Sequence, residues 1–135
     1  MSYLKQKSTF NISSAKELIQ LSYYAPSVHC SYYGCFQFMK YTLNNYNETT
    51  YLEIENQCLN YSRGSHGYII DNTLSILKDK IKDNREFANI KRKLKDLKTF
   101  RVKSDYLNEQ ILSDDAGKSL EFSEKIIKTV KNNIK

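Results

Sequence analysis

Between residues 26 and 44 the chain carries an apolar file that an α-helix can bury and a strand cannot. Val28, Tyr32, Cys35, Met39 and Leu43 recur at spacings of four, three, four and four, and Tyr33 and Phe36 widen the file. That period puts them on one side of a helix. A helix apolar over so much of its surface belongs near the centre of a bundle. Only four Gly and one Pro occur in 135 residues, too few for the many turns of a β-sandwich or barrel. The length suits one domain, 1–135, with a single core. The expectation is an all-α, up-and-down bundle of about five helices.

The other helices follow from the same period and from local punctuation. Ser14-Ala15-Lys16-Glu17 fits a capping box, so the first helix is expected from Ser14 to about Tyr24. Pro26 suits the first turn of the second, Pro26 to Asn44. Residues 45–67 are the least regular. Tyr51 to Tyr61 reads as a short helix or as irregular chain, and Ser62 to Gly67 as a turn. The third helix is expected over Tyr68 to Lys82 and the fourth over Arg85 to Lys103. The fifth begins with Ser113 as N-cap, with Asp114 and Asp115 at the positive end of the helix dipole. Its inner stripe is expected to be Ala116, Leu120, Ile127, Val130 and Ile134.

The formal charge is +6, unevenly placed: Lys78 to Lys103 holds eleven basic and four acidic residues. Such a stretch is either a solvated face or an attractor for phosphate backbones and acidic partners. If RNA binds, Lys91, Arg92, Lys93 and Lys95 are the expected contacts, with steep salt dependence. Ten of the eleven Tyr lie before residue 70, more than one small core readily satisfies, so a homodimer is expected through the first two helices. Tyr23-Tyr24 and Tyr32-Tyr33 either pack between helices or across that dimer, or stack on bases. Three Cys without a Cys-x-x-Cys, and two His far apart, give no metal or other cofactor. No apolar run reaches membrane-spanning length and no signal core is present, which points to a cytoplasmic protein.

The apolar face of the fourth helix then breaks its own rule. Phe87, Ile90, Leu94 and Leu97 step by three, four and three, and the next step of four lands on Arg101. A guanidinium continuing a core stripe must meet anions or a cleft. Asp105, four further on, allows two readings: a structural pair closing the helix end, or an Arg lining a phosphate-binding cleft with Asp105 orienting it.

Arg101-Val102-Lys103-Ser104-Asp105-Tyr106 resembles the Arg-x-x-Ala-Asp-Tyr type of signature of the HEPN family (higher eukaryotes and prokaryotes nucleotide-binding domain). Ala15-Lys16-Glu17-Leu18-Ile19 is similar to the family's first helix, Ser31-Tyr32-Tyr33-Gly34-Cys35-Phe36 to its Ser-Tyr-Tyr-Ala-x-Phe core, and His66-Gly67 to the start of its third helix. The resemblance implies a helical bundle, often dimeric. Many members are metal-independent ribonucleases of toxin–antitoxin or defence systems, with an Arg followed four to six residues later by His. Here Val102 follows Arg101, Tyr106 stands five beyond it, and no His occurs after position 66.

Arg101 and Tyr106 are the catalytic candidates by that resemblance. Arg101, Asp105, Lys91, Arg92, Lys93, Lys95, Tyr32, Tyr33 and His66 are the binding candidates. Tyr106 can donate a proton but is a poor base at neutral pH. Cleavage would need His29 or His66 brought in by folding or by a second subunit. On its own terms His29 reads as a core or cleft histidine, and His66 as capping or exposed. The alternative function is a non-catalytic dimerisation module acting with an antitoxin or a nucleotidyltransferase partner.

Overall fold

The structure is a computed structural model that describes residues 2–135. Among them it has six helices and no strand: α1 (Tyr3–Gln20), α2 (Tyr24–Tyr46), α3 (Tyr51–Leu59), α4 (Gly64–Lys80), α5 (Asn84–Tyr106) and α6 (Ser113–Asn133). α2 is the axis. α1, α4, α5 and α6 all pack against it, and α3 packs on α4. Tyr32, Cys35, Met39 and Leu43 of its apolar file are buried in one core with Ile69, Leu77, Ile90, Leu94, Leu97, Ile126 and Val130. Val28 starts a smaller cluster with Ala116 and Ile111. None of these helices is long and apolar enough to cross a membrane.

Two departures from expectation concern capping. α1 begins at Tyr3, eleven residues before the expected Ser14, which is an exposed mid-helix residue. The inner face of its first half escapes an apolar pattern because it is built from small and polar groups. Ser8 is buried and donates to the Gly34 carbonyl at 2.6 Å. A Cβ on Gly34 would meet Ile12 Cδ1 at 2.6 Å, so glycine is what lets α1 approach α2 so closely. The capping box stands instead at the start of α3. Thr50 Oγ1 accepts the Glu53 amide and Glu53 returns the bond to the Thr50 amide, both at 3.1 Å. α3 is thus a sixth helix where a helix or irregular chain was left open.

α4 starts at Gly64, inside the expected turn, and α5 runs three residues beyond its expected end. The whole Arg101–Tyr106 segment is therefore helical. Leu112, not Ser113, is the N-cap of α6, and the Asp115 carboxylate accepts its amide at 3.2 Å. The buried stripe of α6 includes Ser119 and Ser123, and Leu120 and Ile127 are only half-buried. Ser123 donates to the Ser31 carbonyl at 2.6 Å, which draws α6 onto α2.

Candidate functional site

Three helices converge on Arg101. α5 carries it there as the continuation of the buried Ile90, Leu94, Leu97 stripe, and its side chain is 12% exposed. α2 offers His29, Tyr32, Tyr33 and Phe36, three and four residues apart on one face. α4 offers His66 from its first turn.

The guanidinium is caged by oxygens and rings. Nη2 donates to the Tyr33 hydroxyl at 2.8 Å and to the Tyr106 hydroxyl at 3.0 Å. Its carbon lies 5.4 Å from the centres of the Tyr32 and Tyr33 rings and 4.9 Å from that of Tyr106, within range of cation–π attraction. Nε is 3.1 Å from Asp105 Oδ2, yet it is buried and off the line that a hydrogen bond needs, so this contact is an ion pair only. Burial disfavours the charge, but Tyr33, Tyr106, Tyr32 and Asp105 together outweigh it and raise the affinity of Arg101 for its proton. Among the described residues Nη1 has no hydrogen-bond partner, and it is not enclosed.

Asp105 spends its hydrogen-bonding capacity on His29. The imidazole Nδ1 lies 2.9 and 3.1 Å from the two carboxylate oxygens. Asp105 is 18% exposed and His29 49% exposed. In the neutral ring a carboxylate there selects the Nδ1–H tautomer, with Nε2 as the acceptor nitrogen. The His29 ring also leans on Tyr33, with centres 4.7 Å apart. Ser104 ties α5 to the start of α2 by donating to the Ala25 carbonyl at 2.8 Å, which holds this register.

His66 neither caps α4 nor stands exposed. It is half-buried, stacked on Phe36 at 4.4 Å, and its Nδ1 lies 2.6 Å from the Tyr32 hydroxyl. Burial first, then the charges of Arg101 and Lys98, lower its proton affinity, so the ring is neutral near pH 7. Burial drives Tyr32 the opposite way and keeps its phenol protonated. Tyr32 therefore donates to His66 Nδ1. Tyr32 is fully buried, which removes it as a base-stacking surface and makes it a wall of the cage.

The basic residues of α5 are spread around the helix. Lys91, Arg92 and Lys95 are exposed, but Arg92 lies about half a turn from Arg101 while Lys91 and Lys95 flank it on one side. Lys93 faces α6, its ammonium 4.9 Å from the Phe122 ring centre. The flank nearest the site also carries Lys98, half-buried and three residues before Arg101. Phe36, Lys98 and His29 stand outside the catalytic and binding candidates read from the sequence, although His29 is one of the two histidines that cleavage would need folding to bring in. Its signal was present: it stands three and four residues before Tyr32 and Tyr33.

The model of the HEPN domain family matches residues 65–133, just over half of the chain, and the chain belongs to that family. At family level this is a nucleotide-binding, ribonuclease-like helical domain. The match takes in His66, Arg101, Asp105 and Tyr106, while His29 and the Tyr32-Tyr33 pair lie outside it. No curated protein and no solved structure matches the chain.

Proposed function

We propose that this domain binds RNA at the Arg101 cage and cleaves it without a metal ion. The observation that carries the reading is the Arg101–Asp105–His29 constellation. Folding brings a histidine 76 residues from Asp105 in sequence onto its carboxylate at 2.9 Å, and the same carboxylate pairs with Arg101. The role that an Arg-x4-6-His spacing would give to a histidine on the Arg-bearing helix is taken here by one on α2.

The chemistry balances with these groups. His29 Nε2 removes the proton from a ribose 2′-hydroxyl as that oxygen bonds to phosphorus. Arg101 Nη1 stabilises the negative charge that grows on the phosphoryl oxygens. The bond from phosphorus to the 5′-oxygen breaks, and Tyr106, 68% exposed with its hydroxyl 3.0 Å from Arg101, hands that oxygen its proton. The guanidinium stabilises the resulting phenolate, which recovers a proton from the imidazolium through water. The products are a 2′,3′-cyclic phosphate and a 5′-hydroxyl. Lys91 and Lys95, with Lys98, supply the electrostatic approach along one flank of α5.

A second copy of the chain is proposed as the partner. Leu21, Tyr23, Tyr106, Leu107 and Leu112 are exposed apolar side chains at the end of the bundle where α1 meets α2 and α5 meets α6, and that end carries the site. The toxin–antitoxin or defence setting is proposed on the family resemblance alone. The test is incubation of the chain with end-labelled single-stranded RNA in excess EDTA. Cleavage with cyclic-phosphate ends that disappears on Arg101→Ala supports the reading. RNA bound but left intact favours a binding module working with a nucleotidyltransferase or other partner.

A further inference from the structure

A second concave surface lies away from the Arg101 site. α1 and α6 both pack on α2 and touch each other less than either touches α2. They part over a trough of about 410 Å³ that continues into one of about 240 Å³, the two sharing Lys5, Phe38 and Lys131. The floor is apolar, made by Ile12, Phe38 and Ile127. The rim is basic: Lys5 and Lys16 from α1 face Lys128 and Lys131 from α6. Glu124, the acidic residue of the rim, is taken up by Lys16 at 3.4 Å. Lys5, Lys128 and Lys131 have no ion-pair partner among the described residues.

We propose that this trough docks an acidic amphipathic helix of a partner protein. The face from Lys5 to Lys16 is three helical turns, roughly 16 Å, which fits three turns of an incoming helix. Apolar side chains at i, i+3, i+4 and i+7 would seat on Ile12, Phe38 and Ile127, and flanking carboxylates would meet the lysines on both banks. A nucleic-acid track fits less well. Bases need open aromatic faces to stack on; Phe38 is 8% exposed, and the Tyr41 and Tyr46 rings of the adjoining part lie under the ammonium groups of Lys5 and Lys80. The surface is independent of the proposed RNA chemistry, because the cage draws on α2, α4 and α5 and the trough on α1, α2 and α6.

The test is selection of a displayed library of 16-residue peptides against the intact chain. Apolar residues are fixed at i, i+3, i+4 and i+7, and every other position is Glu, Lys or Ser. Peptides enriched in Glu beside the apolar stripe, losing at least tenfold in affinity on Lys5→Glu/Lys128→Glu/Lys131→Glu and unaffected by Arg101→Ala, are the expected result. No enrichment, enrichment of Lys, or selected peptides indifferent to the charge reversal would each overturn the proposal. So would a triple variant, folded by circular dichroism, that loses RNA binding when no peptide had been selected. These three lysines are exposed or on the rim, and Ile127 and Phe38 remain in place, so the variant retains the packing of α1 and α6.

Discussion

The two faces of α5 carry the same chemical currency and use it in opposite ways. On the outer face Lys91, Arg92 and Lys95 are exposed to solvent, with Arg92 held only by a 3.4 Å contact to the Asn89 side chain. On the inner face Arg101 is 12% exposed and held by Tyr33, Tyr106 and Asp105. A free lysine attracts a polyanion from a distance, but salt screens it and it fixes no geometry. A caged arginine attracts less at range. Its orientation is settled before any ligand arrives, in a place of lower effective dielectric, and that is where charge stabilisation of a reacting phosphate is strongest. Counting charge along a sequence finds the outer face. Finding the inner one takes the observation that a charge sits where a leucine should.

That comparison is sharpened first by His29→Ala. If the inner face does the chemistry, the cleavage rate should fall by about 10²- to 10⁴-fold while RNA affinity, set largely by the lysines, changes only a few-fold. Single-turnover cleavage and filter binding on the same preparation separate the two. Equal losses in both would place His29 in binding instead. His29→Gln should be as inactive as the alanine variant, since an amide keeps a polar contact to Asp105 without accepting a proton.

The outer face is tested by Lys91→Gln, Arg92→Gln and Lys95→Gln together. Affinity should weaken by about tenfold at low salt. The slope of log affinity against log salt should shallow by up to about 2, at about 0.7 per phosphate contact to a single strand. The rate at saturating RNA should hold. Lys93→Gln in the same titration should change the slope least, because its ammonium is already engaged by the Phe122 ring. A loss of saturated rate in the triple variant would break the division between the faces.

A smaller effect is expected in acid. The folded state lowers the proton affinity of His66, by burial above all. Below its ordinary value near 6.5 the unfolded chain therefore binds more protons than the folded one, and stability must fall as pH drops from about 7 through the folded value. Chemical denaturation at pH 7.5 and 5.5 should show that loss reduced in His66→Gln. An unchanged pH dependence would mean that folding does not lower the proton affinity of His66.

The helices themselves were legible because their buried faces are apolar at the right period: α2 and the middle of α5 lie where that period puts them. The first half of α1 was not, because its contact is made by Ser8 against Gly34, which carry no hydrophobic signal. The Thr50–Glu53 box was as readable as the Ser14–Glu17 match, but identical spacing cannot say which hydroxyl sits at a helix end and which in the middle. Within the site, Arg101 and Asp105 stand four apart on one helix, so one period exposes both, while Tyr106, five beyond Arg101, was reached through the family resemblance. His29 and His66 reach them from α2 and α4. Their meeting is a tertiary fact, set by α2–α5 contacts such as Ser104 on the Ala25 carbonyl.

The account rests on Arg101 being a phosphate receptor in a prepared cage, not a pin that closes the end of α5. Both roles cost stability when the side chain is lost, because Arg101→Ala removes the cation paired with Asp105 and the donor to the Tyr33 and Tyr106 hydroxyls, by about 1–3 kcal/mol. The decisive measurement is RNA binding per folded molecule, taken with thermal melting, for Arg101→Ala and Arg101→Lys, with Asp105→Asn as control. A receptor predicts that Arg101→Ala loses at least tenfold in binding per folded molecule, and that Arg101→Lys keeps most of the melting temperature yet loses cleavage, since a point charge cannot span the Tyr33 and Tyr106 oxygens and a phosphate together. A large fall in melting temperature shared by all three variants, with binding per folded molecule unchanged, would contradict it.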